Sequence, residues 1–191
     1  MLDLLIDYKQ LFTILHLLGV VVGFGAAIVA DFLFFRFVSN LKLSNSEIHV
    51  MGLVSKLVWV GLALISLSGL ALYLSAPDLY ASSSKFLVKM LVVAVISLNG
   101  GFLHFYIKPR LKIIDWQSKA PNSGRKVRKL AFMAGAISFN SWLLALVLGS
   151  MESIPFSFST ATLAYLGFLG FLIVGSQVAE YACSILFVKN K

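Results

Sequence analysis

The sequence predicts an all-α fold, an integral membrane bundle of five transmembrane helices, and three observations carry that prediction. Of its 191 residues, 59% are hydrophobic and only 13% charged, against about 45–50% and about 25% in ordinary soluble domains. Five apolar stretches reach the roughly 20 residues that a helix rising about 1.5 Å per residue needs to cross a hydrocarbon core of about 30 Å. None alternates with the period of two that lipid-facing barrel strands show, so the spans are helices. Soluble, disordered and fibrous classes are excluded. A single cysteine, Cys183, excludes an internal disulfide framework and any cysteine-clustered zinc or iron–sulfur site.

The first span is 11–38. Asp3 and Asp7 precede it where a signal peptide would be basic, and no small-x-small cleavage site follows. Leu2, Leu4, Leu5 and Ile6 therefore read as an interfacial lead-in to an uncleaved helix. At about 100° per residue, His16, Gly19, Gly23, Ala27, Ala30 and Asp31 share one face. Gly19-xxx-Gly23-xxx-Ala27 lets another backbone approach there, while Phe32, Phe24 and Val21 are expected to face lipid. The second span, 53–76, ends at Pro77 and Asp78 and carries Gly61, Ser66, Ser68 and Gly69. The third, 86–108, ends at Pro109 and contains Asn99-Gly100-Gly101, a weak point at which backbone can open. The fourth, 130–151, carries Asn140 and Ser141-xxx-Ala145-xxx-Gly149. The fifth, 160–188, follows Pro155 and carries Gln177 and Gly175-xxx-Ala179-xxx-Cys183. Trp59, Tyr106 and Tyr181 fall at one membrane boundary and Tyr8, Tyr73, Tyr80 and Tyr165 at the other, as aromatic anchors. No repeat or long linker divides the chain, so residues 1–191 read as one domain.

The formal charge of +8 is a matter of topology. Lys108, Arg110, Lys112, Lys119, Arg125, Lys126, Arg128 and Lys129 cluster around the loop 109–129. Arg36, Lys42 and Lys56 flank the first connection, and Lys189 and Lys191 end the chain. Five spans put all of these on one side and leave only Lys9, Lys85 and Lys89 on the other. The positive-inside rule then places the N-terminus outside and the C-terminus in the cytoplasm of a bacterial-type inner membrane. No nucleic-acid partner is needed to explain the basic excess. Leu111, Ile113, Ile114 and Trp116 mix with the bases of the long loop. That loop is expected to lie on anionic headgroups through Lys108, Arg110, Lys112, Arg125, Lys126, Arg128 and Lys129.

Ionisable groups inside spans are functional candidates, and depth sorts them. Asp31, His104 and Glu180 all fall near the cytoplasmic edge, with Lys56 and His49 in the same layer. They form a candidate transition-metal site or a proton-accepting cluster. The structural alternative pairs Asp31 with Arg36 or Lys56 and leaves Glu180 and His104 wet. His16 lies on the outer side, with Lys89 at comparable depth. A haem held between His16 and His104 is excluded by roughly 20 Å of separation along the normal. His16 alone, with Met90 or water opposite, is a candidate ligand for haem b or a metal; the commoner role is a neutral imidazole bonded to a neighbouring helix. No phosphate-binding glycine loop, nucleophile elbow, HExxH or paired CxxC is present.

Leu15-His16-Leu17-Leu18-Gly19, the glycine-rich first span ending in Phe-Arg, and Lys85-Phe86-Leu87-Val88-Lys89-Met90-Leu91 carry a resemblance over the first three spans. The chain resembles the copper-resistance D-type proteins and the J-type protoporphyrinogen oxidases of bacterial membranes. It is as similar to multi-pass inner-membrane proteins of no defined chemistry. The oxidase resemblance implies cofactor-binding roles for His16 and Lys89, whereas Leu87 and Gly100 stand where that family has histidines. Three functional expectations follow: a small redox, metal or haem protein; a proton- or ion-coupled carrier using Asp31, Glu180 and His104; or an assembly subunit whose glycine seams meet a partner helix or a second copy.

Overall fold

A computed structural model describes residues 6–39, 44–111 and 124–189, with side chains described except at 37–39 and 183–189. The expectations for Leu2, Leu4, Leu5, Lys42, Lys112, Ile113, Ile114, Trp116, Lys119 and Lys191, and for the Cys183 and Lys189 side chains, lie outside the described residues. Among the described residues there is no strand, and five helices are long and apolar enough to cross a membrane. In chain order the elements are α1 (Lys9–Ser39), α2 (Asn45–Ser75), the short α3 (Pro77–Ala81) and α4 (Ser84–Phe102). A π-helical turn (Leu103–Ile107) and α5 (Lys108–Leu111) complete the third span, followed by α6 (Arg125–Ser150) and α7 (Phe158–Lys189).

Local chemistry moves the boundaries beyond the apolar stretches. α2 starts at Asn45, before the stretch beginning at 53, because Ser44 and Glu47 form a capping box. Ser44 Oγ accepts the Glu47 amide at 3.2 Å and Glu47 Oε2 accepts the Ser44 amide at 2.8 Å, satisfying two of the orphan donors at a helix start. The third span does not stop at Pro109. Proline lacks an amide hydrogen and its ring crowds the carbonyl four residues back, here Phe105. The wider π turn lies just upstream, with the Lys108 amide donating to Leu103 O, and the helix runs on to Leu111. The expected yielding at Asn99-Gly100-Gly101 is thus displaced downstream: α4 is regular through Phe102, and Asn99 Nδ2 donates to Ala134 O at 2.9 Å. α6 likewise begins at Arg125, inside the expected loop.

α1 and α2 form the closest pair. A Cβ at Gly61 would land on the backbone of Gly23, and one at Gly19 would lie 2.9 Å from the Ile65 amide. The small-residue face of α1 therefore meets α2 backbone to backbone, as its glycine spacing requires. The edge of the Trp142 indole, from α6, fills the notch at Gly23. α6 in turn packs on α4 and α7, with Val88, Val92, Ile96, Trp142, Leu148 and Tyr165 at the centre. The backbones of α2 and α4 stay apart, and side chains span the gap between them.

Some expected faces are different. Phe24 packs on the core, whereas Val21 and Phe32 are exposed. Tyr165 is buried with its hydroxyl 2.7 Å from Ser141 Oγ, so it is no interfacial anchor. Gly149 and Gly175 face open space, and the small-residue spacings they belong to make no seam there within the chain. Leu163, Phe171 and Val174 on α7 project outward.

Candidate functional site

α1, α2, α6 and the segment from the end of α4 to α5 surround a partly open cavity of about 130 Å³. Its wall is mostly apolar, with Phe34, Trp59, Leu62, Ile96 and Trp142 among the lining residues. Asp31, His104 and Lys108 also line it, together with the hydroxyl-bearing Ser55 and Ser138. Each polar group is set by a local feature of its helix.

Asp31 follows Ala27 and Ala30 on the small-residue face of α1. Opposite it on α6 stands Gly135, where a Cβ would lie 3.6 Å from Asp31 Oδ1, so the missing side chain leaves room beside the carboxylate. Asp31 Oδ2 is buried and has no hydrogen-bond partner. His104 belongs to the π turn, a feature that recurs at functional sites. Its Nδ1 is 3.4 Å from Ser55 Oγ across the gap between α2 and α4, and its ring meets Phe105 edge-on at 5.0 Å. Lys108 follows directly, its Nζ 3.2 Å from where a Cβ on Gly52 would sit. Asp31 and Lys108 border the same cavity yet are not within the 4.0 Å of an ion pair; among the described residues that contact is made by Arg128 and Glu180.

Glu180 stands apart from Asp31 and His104, which corrects the expected three-residue cluster. It is fully buried between α6 and α7, with Oε1 accepting from Arg128 Nε at 2.6 Å and Oε2 without a partner. Gln177 Nε2 beside it donates to Lys129 O at 3.2 Å. The reason is register: antiparallel packing sets Glu180 against the first turns of α6, so its facing cation is Arg128. Among the described residues no three of His, Cys, Asp and Glu gather into a metal-holding group, and Lys56 and His49 are outside the cavity lining.

The basic residues expected on lipid also divide. Lys108 lines the cavity, Arg128 is bonded to Glu180, and Arg110 lies over the Tyr106 ring at 3.6 Å while donating to Tyr106 O at 2.9 Å. Arg125, Lys126 and Lys129 sit in the first turns of α6, a helical start where a loop was expected.

At the other end, His16 Nδ1 is 3.1 Å from Ser68 Oγ, and the ring lies against Gly69. Lys89 is close enough for its charge to act on the imidazole. Met90, the expected opposite ligand, is half exposed. Ser55 and Ser68 hold His104 and His16 about 20 Å apart along α2 at about 1.5 Å per residue, so the two histidines belong to separate places. Lys85 donates to the carbonyls of Met151 and Glu152, placing a cation at the end of α6.

Sequence reasoning missed Lys108, Ser55, Ser138 and Trp59 as companions of Asp31. The available signal was Pro109 inside the span, a residue that disturbs helical phase upstream and changes which residues face the interior. Compared with family models, curated proteins and solved structures, the chain matches none. The site's own chemistry remains: a carboxylate, an imidazole and an ammonium on separate helical elements around a ring-sized apolar chamber.

Proposed function

We propose that this chain is a multi-pass inner-membrane carrier, N-terminus outside and C-terminus cytoplasmic. Asp31 exchanges a proton for a small charged solute, and His104 passes that proton toward the cytoplasmic side. One observation carries the reading: Asp31 Oδ2 is buried beside a cavity without a partner. A carboxylate kept from water needs either a proton or a cation to offset its desolvation. A group that alternates between the two couples proton movement to solute movement. His104, held by Ser55, is the adjoining group whose two ring nitrogens can relay a proton.

Size favours this reading over a tetrapyrrole at the same place. An engineered apolar cavity of about 150 Å³ takes one benzene ring, and a haem has four pyrroles. Among the described residues, Asp31 and His104 alone also fall short of the three or four protein ligands of ordinary transition-metal centres.

The test uses purified protein in liposomes loaded with a pH-sensitive dye. Small alkyl amines, carboxylates and amino acids are added as three separate sets. Wild type should move protons in response to at least one set, and Asp31→Asn should be silent while keeping its helical content and monodispersity. Equal proton movement in Asp31→Asn overturns the proposal, as does silence of the folded wild type toward all three sets.

A further inference from the structure

The cavity holds an electrostatic oddity that its apolar wall sharpens. A carboxylate and an ammonium border one small chamber, yet they do not pair. Each single-charge occupant leaves one of them opposed. An amine seated at Asp31 faces Lys108 and, when protonated, His104. A carboxylate seated at Lys108 faces Asp31. A bare alkali cation finds few oxygens, from Asp31, Ser55 and Ser138, and the same Lys108. α2 and α6 add no charged group to the lining, so among the described residues these three side chains are the charges of the site.

We propose that the occupant is a small zwitterion with one ammonium and one carboxylate on a compact apolar frame, the ammonium meeting Asp31 and the carboxylate meeting Lys108 and His104. This deepens the carrier reading and rests on it. The zwitterion satisfies Asp31 Oδ2, and its charges alternate with those of the protein around the chamber. Its frame lies against Trp59, Trp142 and Phe34, which also favour an ammonium over a ring face. The volume, close to that of a cavity that takes one benzene ring, limits the frame to a few carbons. Ser55 fixes the imidazole, making it a positioning residue for the carboxylate end.

The experiment is calorimetric titration of the full-length protein with straight-chain ω-amino acids from glycine to 6-aminohexanoate. n-Pentylamine and pentanoate serve as single-charge probes. At least one amino acid should bind about ten-fold or more tightly than either probe, the factor expected from one charge-assisted hydrogen bond. Lys108→Met should weaken the amino acid by a similar factor and leave n-pentylamine no weaker, and Lys108→Arg should restore it. Should Lys108→Met fail to fold, Lys108→Gln replaces it, and the three-solute comparison in wild type stands without any variant. Pentylamine or pentanoate binding as tightly as every amino acid overturns the proposal, and so does amino-acid binding indifferent to Lys108. If amines alone drive Asp31-dependent proton movement, the carrier stands and the zwitterion falls; if no set does, both fall.

Discussion

Gly61 and Gly23 meet where no side chain fits, and Trp142 closes the same notch from α6. Gly61→Ala puts a methyl group onto backbone, which cannot rotate away, so overpacking of about 1–3 kcal/mol or more is expected. Thermal unfolding in detergent should show a clear drop for Gly61→Ala and little change for Gly149→Ala, where the space is open. At the Arg128–Glu180 pair, removal of one partner leaves a buried charge, at a cost of about 3–5 kcal/mol. Arg128→Met alone should therefore destabilise more than Arg128→Met with Glu180→Met, and a stability cycle measures the difference. At this scale the sequence was informative about the α1 face, since the glycines and Asp31 lie at helical spacing. It was silent about the partner of Glu180, because which cation faces a residue depends on how two helices slide past each other.

The third span shows what an element adds to its residues. One widened turn between Phe102 and Lys108 accommodates Pro109 and carries His104, Ile107 and Lys108 toward the interior. Inserting an alanine after Phe105, an exposed residue within that turn, adds a residue that the turn has no room to absorb and should rotate everything beyond it by about 100°. The expected outcome is a folded protein whose His104 still reaches Ser55 while Lys108 leaves the cavity. Cysteines at 108 and 52, bridged by a short bifunctional maleimide when the turn is unaltered, should lose that crosslink. Persistence of that crosslink would count against the turn as the positioning device. Such a phase slip is invisible to a periodicity argument that assumes one constant turn angle, which is why Lys108 was assigned to lipid. The five apolar lengths were legible because they depend only on composition and bilayer thickness.

Across the whole molecule, the tight α1–α2 pair leans on a second group made of α4, α6 and α7, with the charged cavity at their junction. Its large bridging side chains, Trp59 toward Gly100 and Lys108 toward Gly52, can shift without breaking backbone contact. The proposed orientation predicts labelling. In a Cys183→Ser background, Ser82→Cys should react with a membrane-impermeant maleimide from the outer side. A cysteine in the 112–123 segment should react only after the membrane is opened. The reverse pattern overturns the orientation and the inward position of Asp31 together. The membrane class was readable from the first count of charges, whereas the cavity exists only once four helical elements are placed, and no local pattern encodes it.

The indole of Trp142 has one edge in the glycine notch and another surface on the cavity wall. It is thereby wired to both the tightest joint of the fold and the charged cavity. With Trp59 and Trp116 replaced by phenylalanine, its emission becomes a built-in optical gauge: filling the chamber should alter its colour or brightness, without any attached dye.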